Sequence, residues 1–110
     1  MSVQHEELAG GRWKEFTLAQ QMANVGSEIG RALNWRKKGK PEYAQKAVDR
    51  ALELLSLTMT AGNRPSCTKE VARVKEAVVD YFYGENKFSS SEISWRKYFD
   101  HFNYAARKGH

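Results

Sequence analysis

Phe88-Ser89-Ser90-Ser91-Glu92-Ile93, followed by Trp95, Tyr98, Phe99 and Phe102, is the stretch whose reading decides the fold. Taken with Ser89 as N-cap, it puts Glu92 at N3, the reciprocal arrangement of a capping box. The same register sets Phe88 against Ile93 as a hydrophobic staple over the helix start. Beyond it, Trp95, Tyr98, Phe99, Phe102, Ala105 and Ala106 recur at helical spacing and give this last helix a wide apolar face in need of a partner.

Working back along the chain, Gly84 closes a preceding helix and Glu85-Asn86-Lys87 form the link. That helix opens near Ser66 or Thr68 and turns Cys67, Val71, Val74, Val78, Tyr81 and Phe82 inward. Val78-Val79 and Tyr81-Phe82-Tyr83 have a strand-like composition, but the spacing of Val71, Val74 and Val78 specifies a helix. Gly62-Asn63-Arg64-Pro65 is the break before it. A second helix starts with Pro41 at N1 and buries Ala44, Ala47, Val48, Ala51, Leu54, Leu55, Thr58 and Met59.

The first long helix follows Thr17, which caps it with Gln20 three residues on, and ends at Gly39. Leu18, Met22, Val25, Ile29 and Leu33 form its large-residue stripe. Ala19, Ala23, Gly26 and Gly30 form a second stripe of small residues, centred about 100° around the helix. Each interior glycine costs about 1 kcal/mol relative to alanine. A helix packed closely over the strip offsets that cost, whether it comes from the same bundle or a second subunit.

Four helices joined by short links predict an all-α, antiparallel, up-down-up-down four-helix bundle. Residues 1–16, interrupted by Gly10-Gly11, read as an N-terminal arm whose Trp13 and Phe16 anchor onto the bundle. Residues 17–110 form the single domain.

Composition sets the bounds on function. A length of 110 residues supports one core without staples, and Cys67, the lone cysteine, excludes an internal disulfide or multi-cysteine metal site. Cys67 reads as a buried or half-buried thiol. The opening residues lack the basic and apolar regions of a secretory signal, and no stretch approaches the roughly 18 apolar residues of a membrane span. A soluble cytoplasmic protein is the expectation, with no cofactor. Glu28, Asp49, Glu53, Glu76 and Asp80 read as solvated charges, and the inward Glu and Glu-x-x-His pattern of di-metal bundles is missing.

The formal net charge is +5, with its sharpest focus in Arg36-Lys37-Lys38-Gly39-Lys40 beside Trp35. Cations are favourable at a helix C-terminus, and the same run offers contacts to phosphate. On the last helix, Arg96-Lys97-Tyr98-Phe99-Asp100-His101 resembles the arginine, spacer, histidine motif of the HEPN superfamily of small helical proteins, some of which cleave RNA. Arg96 matches the motif arginine and His101 the motif histidine, while Lys97 replaces the polar residue that commonly follows the family arginine. The resemblance implies metal-independent RNA cleavage, with His101 transferring a proton and Arg96 stabilising phosphate charge. Five helical residues separate two side chains by about 7.5 Å of rise and about 140° of rotation, so the pair works around a groove or across a dimer.

Three functions follow as expectations. The first is a non-enzymatic interaction protein that forms a homodimer through Ala19, Ala23, Gly26 and Gly30. The second is an RNA- or other nucleic-acid-binding module using Trp35, Arg36, Lys37, Lys38 and Lys40. The third is an endonuclease built on Arg96 and His101.

Overall fold

The computed structural model describes residues 11–108, so the expectations placed on residues 1–10 lie outside the described part. A 3-10 turn, Arg12–Glu15, precedes four helices: α1 (Leu18–Lys37), α2 (Pro41–Met59), α3 (Pro65–Tyr83) and α4 (Glu92–Lys108). There is no strand among the described residues. The expected antiparallel four-helix bundle is the architecture observed. Helix α1 is its spine, packing along both α2 and α4, while α3 packs along α2.

Local chemistry sets the ends of these helices. Thr17 Oγ1 accepts from the Gln20 N–H, and Gln20 Oε1 accepts from the Thr17 N–H, closing the expected box over α1. Gly39, at φ +72°, turns the chain after α1, and Pro41 opens α2 at its first position. Pro65 opens α3 in the same way, one residue ahead of the expected start.

The start of α4 departs from expectation. Ser89 has φ +56° and lies in the linking turn, and the box forms two residues later. Ser91 Oγ accepts from the Ser94 N–H, and Ser94 Oγ accepts from the Ser91 N–H. The staple is also absent: Phe88 is 59% exposed and Ile93 71% exposed. A helix beginning at Glu92 leaves Ile93 in its first turn facing solvent.

Met22, Val25, Ile29, Val48, Leu55, Val71 and Val78 form the inner core, with Trp95 and Phe99 entering from α4. Trp13 joins them, only 2% exposed, so the turn at residues 12–15 packs as part of the core. Its Nε1–H donates to Thr58 Oγ1 at 3.0 Å, and its carbonyl accepts from Gln21 Nε2 at 2.8 Å. Gln21 Oε1 in turn accepts from Asn63 Nδ2, tying the α2–α3 link into the same network. Each polar group that enters this end of the core is therefore matched, as burial requires. Phe16 meets Trp13 edge to face, so the anchoring expected of these two aromatics is present.

Glu28 is a further correction. Expected as a solvated charge, it is buried, and accepts from Arg31 Nη1 at 2.7 Å and Arg50 Nε at 2.9 Å. Two guanidinium groups compensate the carboxylate, which lets α1 turn it toward α2.

Candidate functional site

The fourth side of the bundle is not closed in the way the others are. Helix α4 is drawn onto α1 by Phe99 packing over Gly26, whereas α3 is drawn onto α2, and the two approach each other at few backbone points. Between them lies a groove of about 620 Å³, walled by Val74 and Ala77 of α3, Trp95 and Tyr98 of α4, and Phe88 of the link. Apolar, concave surfaces of this size are where proteins take up ligands or partner side chains.

The walls are held from beneath. Trp95 stacks on Phe99, with ring centroids 6.0 Å apart, and meets Tyr81 edge to face. Its indole Nε1–H is buried and, among the described residues, has no hydrogen-bond partner. Tyr98 Oη donates to Glu70 Oε2 at 2.7 Å, bridging α3 and α4. Burial, the hydrogen bond and the adjacent carboxylate push the Tyr98 phenol well above its ordinary value. Phe88 is placed by Asp80, whose two carboxylate oxygens accept from the Lys87 and Phe88 N–H groups at 2.8 and 3.0 Å. Asp80 is therefore a loop-fixing group rather than the free surface charge expected. Along the rim, Arg73 and Glu76 stand one turn apart, neither with an ion pair or hydrogen bond among the described residues.

The basic run at the α1–α2 corner does not stay together. Arg36 turns back over the Tyr81 and Phe82 rings, 5.0 and 5.6 Å from their centroids, and Lys37 Nζ reaches Glu92 at 3.8 Å. Lys38 Nζ lies 5.3 Å from the Trp35 ring, and Lys40 is exposed. The first turns of α2 add two residues that the sequence reading passed over. Tyr43 packs on Trp35 with centroids 4.8 Å apart and planes at 32°, and Lys46 Nζ lies 5.9 Å from the Tyr43 ring. The signal was present in the two aromatics flanking the Gly39-Lys40-Pro41 turn, which brings them onto one surface.

The small-residue strip of α1 is occupied from within the chain. A Cβ on Gly26 would strike Phe99, and Gly30 lies beneath Arg96. Ala23 faces the same helix, beside Asn103 and Tyr104, and Ala19 is half-buried. The packing neighbour at Gly26 is Phe99 of α4, and the side chain nearest Gly30 is Arg96 of the same helix.

Arg96 donates from Nη2 to Asn34 Oδ1 at 2.9 Å and to Glu92 Oε1 at 3.2 Å, pinning the start of α4 to the end of α1. His101 is exposed, with no hydrogen bond or ion pair among the described residues. No cluster of three or more His, Cys, Asp or Glu side chains suited to a metal occurs among the described residues, and no helix there is long and apolar enough to cross a membrane. Compared with protein-family models, curated proteins and solved structures, the chain has no match.

Proposed function

We propose that this chain is a non-catalytic helical interaction protein that pairs with a second copy of itself through the α3–α4 groove. The observation that carries this reading is the groove itself, an apolar opening where α3 and α4 part. Phe88 stands 59% exposed on its wall. Exposed apolar surface flanking a concave apolar patch is the usual mark of an interaction face.

A second copy is the occupant that the charges favour. The chain carries +5 overall, yet the groove is lined by Glu70, Arg73 and Glu76, two carboxylates and one guanidinium. Two such faces meet without the repulsion that two basic faces would suffer. Arg73 and Glu76 are also self-complementary. In a two-fold pairing with the α3 helices antiparallel, Arg73 of each copy stands opposite Glu76 of the other. The catalytic reading is the weaker one, because Arg96 is already tied to Asn34 and Glu92.

Light scattering after size exclusion, run at protein concentrations from about 1 to 100 µM, tests the pairing. A mass of two 12.6 kDa chains is expected, falling to one chain in Ala77→Arg, which sets a charge inside the groove. A wild-type monomer across the range would remove the proposal.

A further inference from the structure

The densest positive charge of this chain lies at one corner. Residues 35–46 hold Arg36, Lys37, Lys38, Lys40 and Lys46 against Glu42 alone, a local +4 out of the chain's formal +5. This corner shares no residue with the α3–α4 groove and is built on a different pair of helices. At its centre Trp35, half-buried, packs against Tyr43, which is 50% exposed. Trp35 differs in this from the other two tryptophans, since Trp13 and Trp95 are both buried.

We infer that the α1–α2 corner binds single-stranded nucleic acid, with Trp35 and Tyr43 as its stacking platform and Lys38, Lys40 and Lys46 as its phosphate contacts. The chemistry of the two components separates this partner from an acidic protein. Lysines alone would serve any polyanion. An aromatic pair set among them, Tyr43 exposed and Trp35 half-buried, serves a chain that alternates flat bases with phosphates. Lys38 and Lys46 rest over the rings, 5.3 and 5.9 Å from the centroids. An arriving base takes a ring face, and the displaced ammonium is left beside the adjoining phosphate. A duplex keeps its bases stacked inside and cannot use the platform. Arg36 and Lys37 contribute field rather than contact, because the first is held over Tyr81 and Phe82 and the second lies near Glu92. Glu42 is the one carboxylate within the stretch, and it opposes but does not cancel the field.

Fluorescence anisotropy with a labelled 12-nucleotide single strand, its duplex and a poly-glutamate peptide tests the inference. The single strand is expected to bind at 50 mM salt and about 20-fold more weakly at 200 mM, as three phosphate contacts require. Changing both Lys38 and Lys46 to Gln should lower the salt slope by about 1.4. Tyr43→Ala should weaken binding at least 5-fold at unchanged slope, and Tyr43→Phe should restore it, which separates stacking from charge. Unchanged circular dichroism in each variant confirms that the fold is intact. No binding at 50 mM salt, equal or tighter binding of duplex or poly-glutamate, or full affinity in Tyr43→Ala would each overturn the inference.

Discussion

A Cβ atom placed on Gly26 would lie 2.7 Å from Cβ of Phe99 and 2.9 Å from its Cγ, so α1 and α4 meet at a separation that only glycine permits. Those atoms sit at the root of the phenylalanine side chain and cannot swing aside. Gly26→Ala should therefore destabilise the fold by about 1–3 kcal/mol, despite the better helix propensity of alanine. Gly30 has nothing nearer its Cβ position than Arg96 Nη1 at 3.9 Å, and Gly30→Ala should gain about 0.5–1 kcal/mol. Urea unfolding of the two variants checks the opposite signs.

The start of α4 offers a second pair with opposite outcomes. Ser91 supplies the cap, so Ser91→Ala should cost about 1 kcal/mol. Ser89 holds φ +56°, a conformation natural to glycine, and Ser89→Gly should leave stability equal or higher. Thermal unfolding of both proteins measures the difference. Equal losses in the two would return the cap to Ser89.

Trp13 tests whether the turn before α1 belongs to the folded unit. Its ring is buried and its N–H is spent on Thr58, so Trp13→Ala should cost about 3–5 kcal/mol. A loss below about 1 kcal/mol in denaturant titration would mean that the turn is dispensable.

Tyr98 and Tyr83 give the fold an alkaline limit. Burial, followed by the Glu70 contact, raises the Tyr98 phenol, and burial with the Asp49 contact pushes Tyr83 up to about 12. In the unfolded chain both ionise near pH 10. A raised folded value means that their contribution is intact below about pH 10 and is lost as pH rises toward the folded values. Unfolding free energy should fall between pH 9 and pH 11, and the fall should shrink in Tyr98→Phe. An identical fall in that variant would show that Tyr98 is not linked to it.

The sequence carried the helices because each has a local cause that survives in the folded chain. Thr17 with Gln20, Pro41 at N1 and the Val71, Val74, Val78 spacing act within a few residues of themselves. The α4 cap was misread by two residues because three consecutive serines offer the same hydroxyl. The choice among them depends on Asp80 and Asn86, whose bonds to the Lys87, Phe88 and Ser90 N–H groups shape the turn. Glu28 was misread for a similar reason: its partner Arg50 lies on another helix, 22 residues away. The groove was legible only as a surplus of apolar positions on two helices. Its opening depends on how closely α4 settles on Gly26, a tertiary distance with no local signature. At the α1–α2 corner the run of cations was plain, but which of them turn inward depends on aromatic rings in α3.

Self-association through the groove is tested most directly by a charge exchange across it. Arg73→Glu and Glu76→Arg should each place like charges opposite one another across the two-fold axis and leave a monomer of 12.6 kDa by light scattering. The double variant, with both changes, restores the pairing in reversed polarity and should recover the dimer mass. Recovery in the double variant alone is the expected result. A dimer that persists in both single variants, or a double variant as monomeric as its parents, would contradict pairing through this face.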